Sequence, residues 1–133
     1  MILFINSAEK EKLTVGLIGS SFLSDKIIRK CHYQESDQLL PIINQILEKN
    51  KLCLKDLKGI IVVKGPGGFT SLRIGVITAN TLGYSLKVPV VGVGLGQNMT
   101  RQGIRKIKKL RSFKIVEPYY GRQPNITKPK KKK

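Results

Sequence analysis

The sequence has few of the residues from which common catalytic and metal sites are built. Only two cysteines and one histidine occur in 133 residues, and Cys31 and Cys53 lie far apart without metal-ligand spacing. No apolar run approaches the roughly 18 residues that a membrane-spanning helix needs. The start of the sequence, MILFINSAEKEK, lacks the basic flank of a secretion signal. We therefore expect a cytoplasmic protein with reduced cysteines, no disulfide framework and no membrane span.

Acidic residues are also scarce. There are 8 of them against 25 lysines and arginines, which gives a net charge of +17. Residues 1–100 hold 12 basic and 7 acidic residues (net +5), whereas residues 101–133 hold 13 and 1 (net +12). This asymmetry favours a polyanionic partner such as nucleic acid, although a basic terminal segment can also serve only solubility.

Hydrophobic periodicity predicts one α/β domain over residues 1–96. The first three apolar runs are short and closely connected, which predicts an antiparallel meander. Two segments with helical spacing follow, and the second connects two buried strands as a βαβ unit with a parallel sheet. The order is β-β-β-α-β-α-β. The predicted strands and helices cover, in chain order, residues 2–5, 13–18, 26–31, 36–50, 60–63, 70–86 and 88–94.

The sequence changes character after residue 96, so residues 97–133 are predicted to form a separate basic C-terminal segment and tail. Residues 97–110 predict a basic helix, although Gly103 interrupts the pattern. Residues 113–116 predict a short strand. The rest contains proline and many lysines and is expected to be extended.

The segment VKGPGGFTSLRIG, residues 63–75, joins the central strand to the second helix. A phosphate-binding loop of the GxxxxGK[ST] type needs a lysine that is absent here, and the Rossmann pattern GxGxxG fails at Thr70. Binding of a phosphate at the helix N-terminus stays open, because any helix start has free N–H groups. The glycines are better explained by a sharp strand-to-helix turn. The predicted signature turn comprises Gly65, Pro66, Gly67, Gly68, Phe69 and Thr70.

The helix after this turn carries a stripe of small residues. Gly75, Ala79 and Gly83 are spaced i, i+4 and i+8, and apolar residues surround them. Such a helix is buried on more than one side. One side belongs to the sheet, and the stripe itself packs either against a partner subunit or against the helix at 36–50.

At this point the residues resemble a known family. MILFINSA, SDQLLPIINQIL, LKDLKGIIVVKGPGGFTSLRIGVITANTLGYSLKVPVVGV and PYYGRQPNITK are similar to segments of the TsaB (YeaZ) family, a small subunit of the bacterial machinery that forms threonylcarbamoyl-adenosine next to the tRNA anticodon. Residues 65–75 resemble its signature GPGSFTGLRIG. The main match covers about residues 1–94.

The resemblance implies an actin/Hsp70-like (ASKHA) half-domain and a scaffold without catalysis or cofactor. The implied partners are a TsaD-type catalytic subunit, a TsaE-type ATPase through the complex, and a second copy in a homodimer. The two helices at 36–50 and 70–86 would form the contact. The expected partner-interface residues are Leu72, Arg73, Gly75, Val76, Ala79 and Gly83.

Several positions depart from the family pattern. The usual aspartate at the end of the first strand is Asn6, which lacks the negative charge that helps to hold magnesium. The histidine pair that binds metal in TsaD is absent, and His32 stands alone. Candidate nucleophiles have no base near them in sequence. We therefore expect neither a catalytic residue nor a metal site.

The basic tail and Arg73 have alternative interpretations. Arg73 is the sole charge of its helix, and either contacts a carboxylate near the subunit interface or faces solvent. The alternatives for the tail are contact with tRNA phosphates without sequence specificity, contact with an acidic protein patch, and solubility alone. The candidate tRNA contacts are Lys128, Lys130, Lys131, Lys132 and Lys133. Two rival functions remain: a free-standing basic RNA-binding protein and a residual nucleotide-binding ATPase.

Overall fold

The computed structural model describes residues 1–19, 22–31, 35–110 and 113–119. The order of its elements confirms the predicted β-β-β-α-β-α-β arrangement and adds a third helix. The strands are β1 (Ile2–Asn6), β2 (Lys12–Ile18), β3 (Leu23–Lys30), β4 (Gly59–Gly65) and β5 (Val90–Gly94). The α-helices are α1 (Glu35–Lys49), α2 (Phe69–Leu86) and α3 (Met99–Lys109), and one 3₁₀ turn covers Leu54–Asp56.

The five strands form a single mixed sheet in the order β3-β2-β1-β4-β5. The pairs β1–β2 and β2–β3 are antiparallel, which confirms the predicted meander. The pairs β1–β4 and β4–β5 are parallel, as the βαβ unit requires. Strand β4 is buried along nearly its whole length because it lies between two strands and both faces of the sheet are covered.

Alternate side chains of the strands enter two cores, one on each face of the sheet. Leu3, Ile5 and Val62 pack in the core that also contains the buried residues of α1 and the middle of α2. Phe4 and Ile61 pack in the other core, to which α3 contributes Ile104. Helices α1 and α2 therefore lie on one face of the sheet, and α3 lies on the opposite face.

Helix α3 is held close to the sheet by its glycine. A Cβ atom at Gly103 would collide with Ile61, and Ile107 sits over Gly59 on the neighbouring turn. The predicted boundary after residue 96 therefore does not mark the end of this core, because the basic helix that follows is part of it. Gly103, which interrupts the helical pattern in the sequence, is the residue that permits the close approach.

The strand predicted at residues 113–116 is wrong. The described segment 113–119 has no regular secondary structure and packs across α2 and β4. The side chain of Asn80 on α2 replaces a strand partner, since its amide donates to the carbonyl of Val116 and accepts from the Val116 N–H, both at 2.9 Å. The Tyr119 N–H donates to the Lys64 carbonyl at 2.6 Å.

Within the described ranges, no helix is both long enough and apolar enough to cross a lipid bilayer.

Candidate partner surface

The small-residue stripe of α2 faces the interior of this chain. A Cβ at Gly75 would collide with the Ser7 side chain, and one at Gly83 would collide with Val90 and crowd the ring of Phe113. Ala79 lies between them with no exposed surface. The expectation that this stripe contacts a partner is therefore wrong for the fold described here. The alternative is packing within the monomer against the helix at 36–50. The stripe does pack within the monomer, but mainly against the sheet and not against α1.

Only one of the six expected interface residues is exposed. Leu72 and Val76 are buried in the two cores together with the stripe, whereas Arg73 is on the surface. Arg73 forms no ion pair with any residue in the described part of the chain. Of its two predicted environments, the solvent-facing one is what the isolated chain adopts.

The glycine turn is shaped by close contacts with the rest of the chain. Gly65 has φ of +127°, a conformation that favours glycine, and the carbonyl of Tyr119 lies where its Cβ would be. Gly67 faces Ala8, whose carbonyl oxygen would be 2.7 Å from an added Cβ. Gly68 precedes α2 as its N-cap with extended backbone and no side-chain cap. The positive φ of Gly65 is what the predicted sharp turn requires, whereas Gly67 is explained by the close approach of Ala8, which the sequence did not predict.

The remaining predicted turn residues are placed less tightly. Pro66 and Thr70 are exposed, and the Gly65–Pro66 peptide bond is cis. Phe69 is the first residue of α2, one position earlier than predicted. The inner side of the turn is filled by Ala8, which faces Gly67, and by the backbone of Tyr119, which faces Gly65.

Asn6, the position at which the related family usually has aspartate, closes its own loop. Its side-chain oxygen accepts a hydrogen bond from the Ala8 N–H at 2.9 Å, and its amide donates to Glu9 at 3.3 Å. Glu9 also pairs with Lys12 at 3.5 Å. The residue is almost fully buried, and both polar groups of its side chain are engaged. Asn6 therefore serves the loop after β1 as a structural residue.

The described residues bring together no obvious catalytic group. Among them, no three His, Cys, Asp or Glu side chains lie close enough to hold a metal ion. Thr70 is exposed at the start of α2, and the thiol of Cys53 donates a hydrogen bond to the Asp56 carboxylate at 3.4 Å. His32 lies outside the described residues. The expectation that the chain has neither a catalytic nor a metal site stays a prediction.

Two acidic side chains have lowered pKa values, and both have structural roles. A hydrogen bond from Asn50 holds the pKa of Asp25 below its ordinary value, assisted by the Lys26 N–H and by Lys49. Hydrogen bonds from the backbone N–H and the thiol of Cys53 lower the pKa of Asp56. Asp25 links the sheet edge to the end of α1, since it lies 2.9 Å from Asn50.

The surface that the sequence did not single out lies on the outer side of α1 and α2. Large apolar side chains are exposed there: Ile77 by 56%, Tyr84 by 74% and Leu40 by 55%. The Tyr84 ring contacts Phe113 edge to face, with centroids 5.9 Å apart. Ile77 and Tyr84 are seven residues apart and so share one face of α2. That spacing was readable in the sequence, but the helix is apolar on so many sides that it did not reveal which side faces outward.

A groove extends this surface between the two helices. It has a volume of about 220 Å³ and opens beside the 3₁₀ turn, where Leu54 is exposed. Its lining is almost wholly apolar: Leu40, Ile43, Asn44, Leu47, Leu54 and Leu82. We call the exposed side chains of Leu40, Leu54, Ile77 and Tyr84, together with this groove, the helical face.

The five lysines predicted to contact tRNA lie outside the described residues. Lys128 and Lys130 to Lys133 all fall in the segment 120–133, so the structure does not bear on them.

Comparison with known proteins identifies the family. Residues 27–118, more than half of the chain, match the family model described as TsaD, tRNA N6-adenosine threonylcarbamoyltransferase. The tRNA threonylcarbamoyladenosine biosynthesis protein TsaB of Buchnera aphidicola subsp. Schizaphis graminum is 34% identical over 96 residues, which are 68% of this chain and 46% of that protein. TsaB of Bacillus subtilis is 30% identical over 91 residues, covering 68% and 40% respectively.

A solved structure agrees on the fold. YeaZ from Pseudomonas aeruginosa superposes with a TM-score of 0.65 at 24% identity, over 70% of this chain and 43% of that chain. The chain thus spans less than half the length of these relatives. Its mixed sheet and flanking helices form the expected actin/Hsp70-like half-domain. By its family-model match and its curated relatives, the chain belongs to the TsaB (YeaZ) family, and its fold agrees with that assignment.

Proposed function

We propose that this chain takes part in tRNA threonylcarbamoyladenosine biosynthesis as a non-catalytic scaffold subunit. In this proposal, its helical face binds a TsaD-type catalytic subunit, through which a TsaE-type ATPase also joins. The names of its curated relatives, tRNA threonylcarbamoyladenosine biosynthesis protein TsaB, support the pathway. The expected contact stays on the same two helices, but it moves from the buried stripe to the exposed side of the helices.

The observation that carries the proposal is the composition of the outward side of α2. Its six exposed residues with described side chains include only one charge, and two of them are the large apolar residues Ile77 and Tyr84. The outward side of a surface helix ordinarily carries many charged residues. Depletion of charge combined with exposed aromatic and aliphatic side chains is typical of the centre of a protein–protein interface. The six residues are Thr70, Arg73, Ile77, Thr81, Tyr84 and Ser85.

The groove beside α1 gives this surface a concave part. An apolar groove rimmed by Leu40 and Leu54 can receive one large side chain of a partner, and such filled pockets are where the strongest interface contacts occur. Arg73, at the edge of the same side of α2 and without an ion pair within the described residues, is available for a carboxylate on that partner.

The non-catalytic role is supported by the chemistry of Asn6. The loop after β1 holds an amide whose two polar groups bond Ala8 and Glu9. A neutral and fully engaged side chain supplies no anionic oxygen for a metal–phosphate complex. The chain would therefore contribute a binding surface to the complex and leave the chemistry to its partner.

The test is co-purification with the TsaD-type protein of the same organism. Ile77→Arg places a charge in the helical face, and we expect it to weaken the complex by at least thirtyfold, as for a central interface residue. The matched control is Ile28→Arg on β3, because Ile28 is also a half-exposed isoleucine but lies on the far edge of the sheet. Circular dichroism checks that both variants are folded.

Retention of the complex by Ile77→Arg at wild-type affinity would contradict the proposed surface. A second copy of the chain could bind the same face in a homodimer. Size-exclusion chromatography of the chain alone tests for this dimer. A dimer that Ile77→Arg dissociates would show that copies of the chain and the TsaD-type partner compete for one surface.

A further inference from the structure

Helix α3 carries an unbalanced set of positive charges on its outward side. Five of its eleven residues are basic, all five are exposed, and none is acidic. The opposite side docks on the sheet through Gly103 and Ile104. We call the exposed basic residues the α3 cationic face: Arg101, Arg105, Lys106, Lys108 and Lys109.

Among the residues that the structure describes, the charges of this face have no carboxylate partner of the kind that solvated helix faces usually have. Arg101, Arg105 and Lys109 are spaced four residues apart, and like charges at that spacing destabilise a helix. On other elements some lysines are paired, as Lys49 is with Asp25 at 3.4 Å and Lys12 is with Glu9 at 3.5 Å. Glu117 is the only acidic residue between positions 57 and 119. A bound polyanion would relieve the repulsion along α3.

The C-terminal end of α3 borders a groove with further lysines. This groove, of about 440 Å³, lies along the open edge of β5, between α3 and residues 114–117. Lys64, Lys109 and Lys114 line it together with Glu117, so its cations outnumber its one carboxylate. The ammonium of Lys106 donates to the carbonyl of Gly92 at 2.7 Å. The groove therefore presents several N–H donors from different elements around one concave surface, which suits phosphate oxygens.

The N-terminal end of α3 borders a second pocket that contains an exposed aromatic ring. Phe22 is 63% exposed and lines this pocket of about 390 Å³ together with Met99 and Arg101. An exposed ring beside a guanidinium provides a surface on which a nucleobase can stack. An acidic protein segment would use the cations but has no comparable use for the ring.

We infer that the α3 cationic face binds an unpaired stretch of RNA, with phosphates along α3 and into the lysine groove and a base stacked on Phe22. The binding surface consists of α3, Phe22 and the groove beside β5, to which Lys64 and Lys114 contribute. Only the identification of the RNA as tRNA rests on the proposed function. This surface lies on the opposite side of the sheet from the helical face, so one chain can hold both partners at once.

The test is binding of a fluorescein-labelled, single-stranded 12-nucleotide RNA of mixed sequence, measured by fluorescence anisotropy at several salt concentrations with the whole chain. The variant Arg101→Gln/Arg105→Gln/Lys108→Gln removes three phosphate contacts. At 0.1 M salt we expect binding about 100-fold weaker and the slope of log K against log salt reduced by about 2, at roughly 0.7 per contact. Glutamine is a good helix former, so α3 should persist.

Two matched controls accompany these variants. Lys26→Gln/Lys30→Gln/Lys55→Gln removes the same charge from exposed positions on β3 and the 3₁₀ turn that line neither pocket beside α3, and we expect a much smaller loss. Phe22→Ala should weaken binding about tenfold without changing the salt slope, because stacking releases no counterions. Tyr84→Ala removes an exposed aromatic ring from the opposite face of the sheet and should have no effect on RNA binding.

Equal losses in the two triple variants would overturn the inference, since binding would then follow net charge alone. Competition by polyglutamate as effective as by unlabelled RNA would also overturn it, in favour of an acidic protein partner. Failure here is distinguishable from failure of the proposed function. A chain that binds the TsaD-type protein through Ile77 but no RNA refutes only this inference.

Discussion

Helices α2 and α3 lie on opposite faces of one sheet, and each docks through glycine while presenting a different outward side. Gly75 and Gly83 bring α2 close to β1 and β5, and Gly103 brings α3 close to β4. The exposed side of α2 has a single charge, whereas that of α3 has five cations. In both helices the small residues mark docking within the chain. The composition of the outward side is what distinguishes the proposed protein-binding side of α2 from the proposed polyanion-binding side of α3.

The largest expected effect separates the two sides of α2. Ala79→Arg would bury a charge in the core, and we expect a loss of several kcal/mol in the free energy of unfolding, enough to unfold the chain. Ile77→Arg, two residues away on the exposed side, should change it by less than about 0.5 kcal/mol. Urea denaturation followed by circular dichroism measures both. Comparable stability of the two variants would mean that the orientation of α2 described here is incorrect.

The next effect concerns the segment that packs beside α2. Asn80→Ala removes both hydrogen bonds to the Val116 backbone and leaves those groups unpaired, so we expect about 2 kcal/mol of destabilisation. Cleavage by trypsin after Lys114 should become faster. Thr81→Ala, at a neighbouring exposed position, serves as the control. Unchanged cleavage would indicate that Asn80 does not hold residues 113–119.

A smaller effect tests the close docking of α3. Gly103→Ala gains about 1 kcal/mol of helix propensity but forces a methyl group against Ile61, which costs typically 1–3 kcal/mol. We expect a net destabilisation of about 1 kcal/mol in urea denaturation. Gln102→Ala, which is exposed and free of that contact, should be neutral or slightly stabilising. Stabilisation by Gly103→Ala would show that α3 is not packed on the sheet as described.

Removal of charge from α3 should slightly stabilise the isolated chain. The Arg101→Gln/Arg105→Gln/Lys108→Gln variant loses repulsive i,i+4 pairs, each of about 0.2–0.5 kcal/mol. The gain should appear in thermal unfolding at low salt and fade near 1 M salt, where charges are screened. A loss of stability at low salt would imply that these cations have carboxylate partners.

The smallest effect lies at the far edge of the sheet, where charge is paired. The folded-state pKa of Asp25 is lowered, chiefly by Asn50, so its contribution to stability is present above the unfolded-state pKa near 4 and is lost as pH falls through the lower folded value. Asp25→Asn should lower the urea midpoint of unfolding at pH 6 and should lower it much less at pH 2.5. Asp37→Asn on the exposed side of α1 is the control.

The sequence predicted the elements of α2 and α3 better than their orientation. Helical spacing located both helices, and the continuous run at 60–63 indicated a strand covered on two faces. The direction of the Gly75 stripe was not predictable, because close approach to a sheet and close approach to another helix require the same small residues. A helix with apolar residues on nearly every side, such as α2, does not reveal which side is buried.

The segment at 113–116 shows a different limit. The residues FKIV have strand propensity, but the structure satisfies the backbone of Val116 with an Asn80 side chain 36 positions earlier. Strand propensity depends on a partner strand, and none of the described strands pairs with this segment.

The helical face was not predicted from the sequence, because Ile77 and Tyr84 can be recognised as outward-facing only when the buried side of α2 is known.

The most direct test measures how a variant of each surface binds each of the two proposed partners. Ile77→Arg and Arg101→Gln/Arg105→Gln/Lys108→Gln would each be assayed for binding to the TsaD-type protein and to the labelled RNA. We expect Ile77→Arg to lose binding to the TsaD-type protein and to retain RNA binding. We expect the triple variant to lose RNA binding and to retain binding to the TsaD-type protein. Loss of both partners in either folded variant, or retention of both, would contradict the assignment of separate functions to the two faces of the sheet.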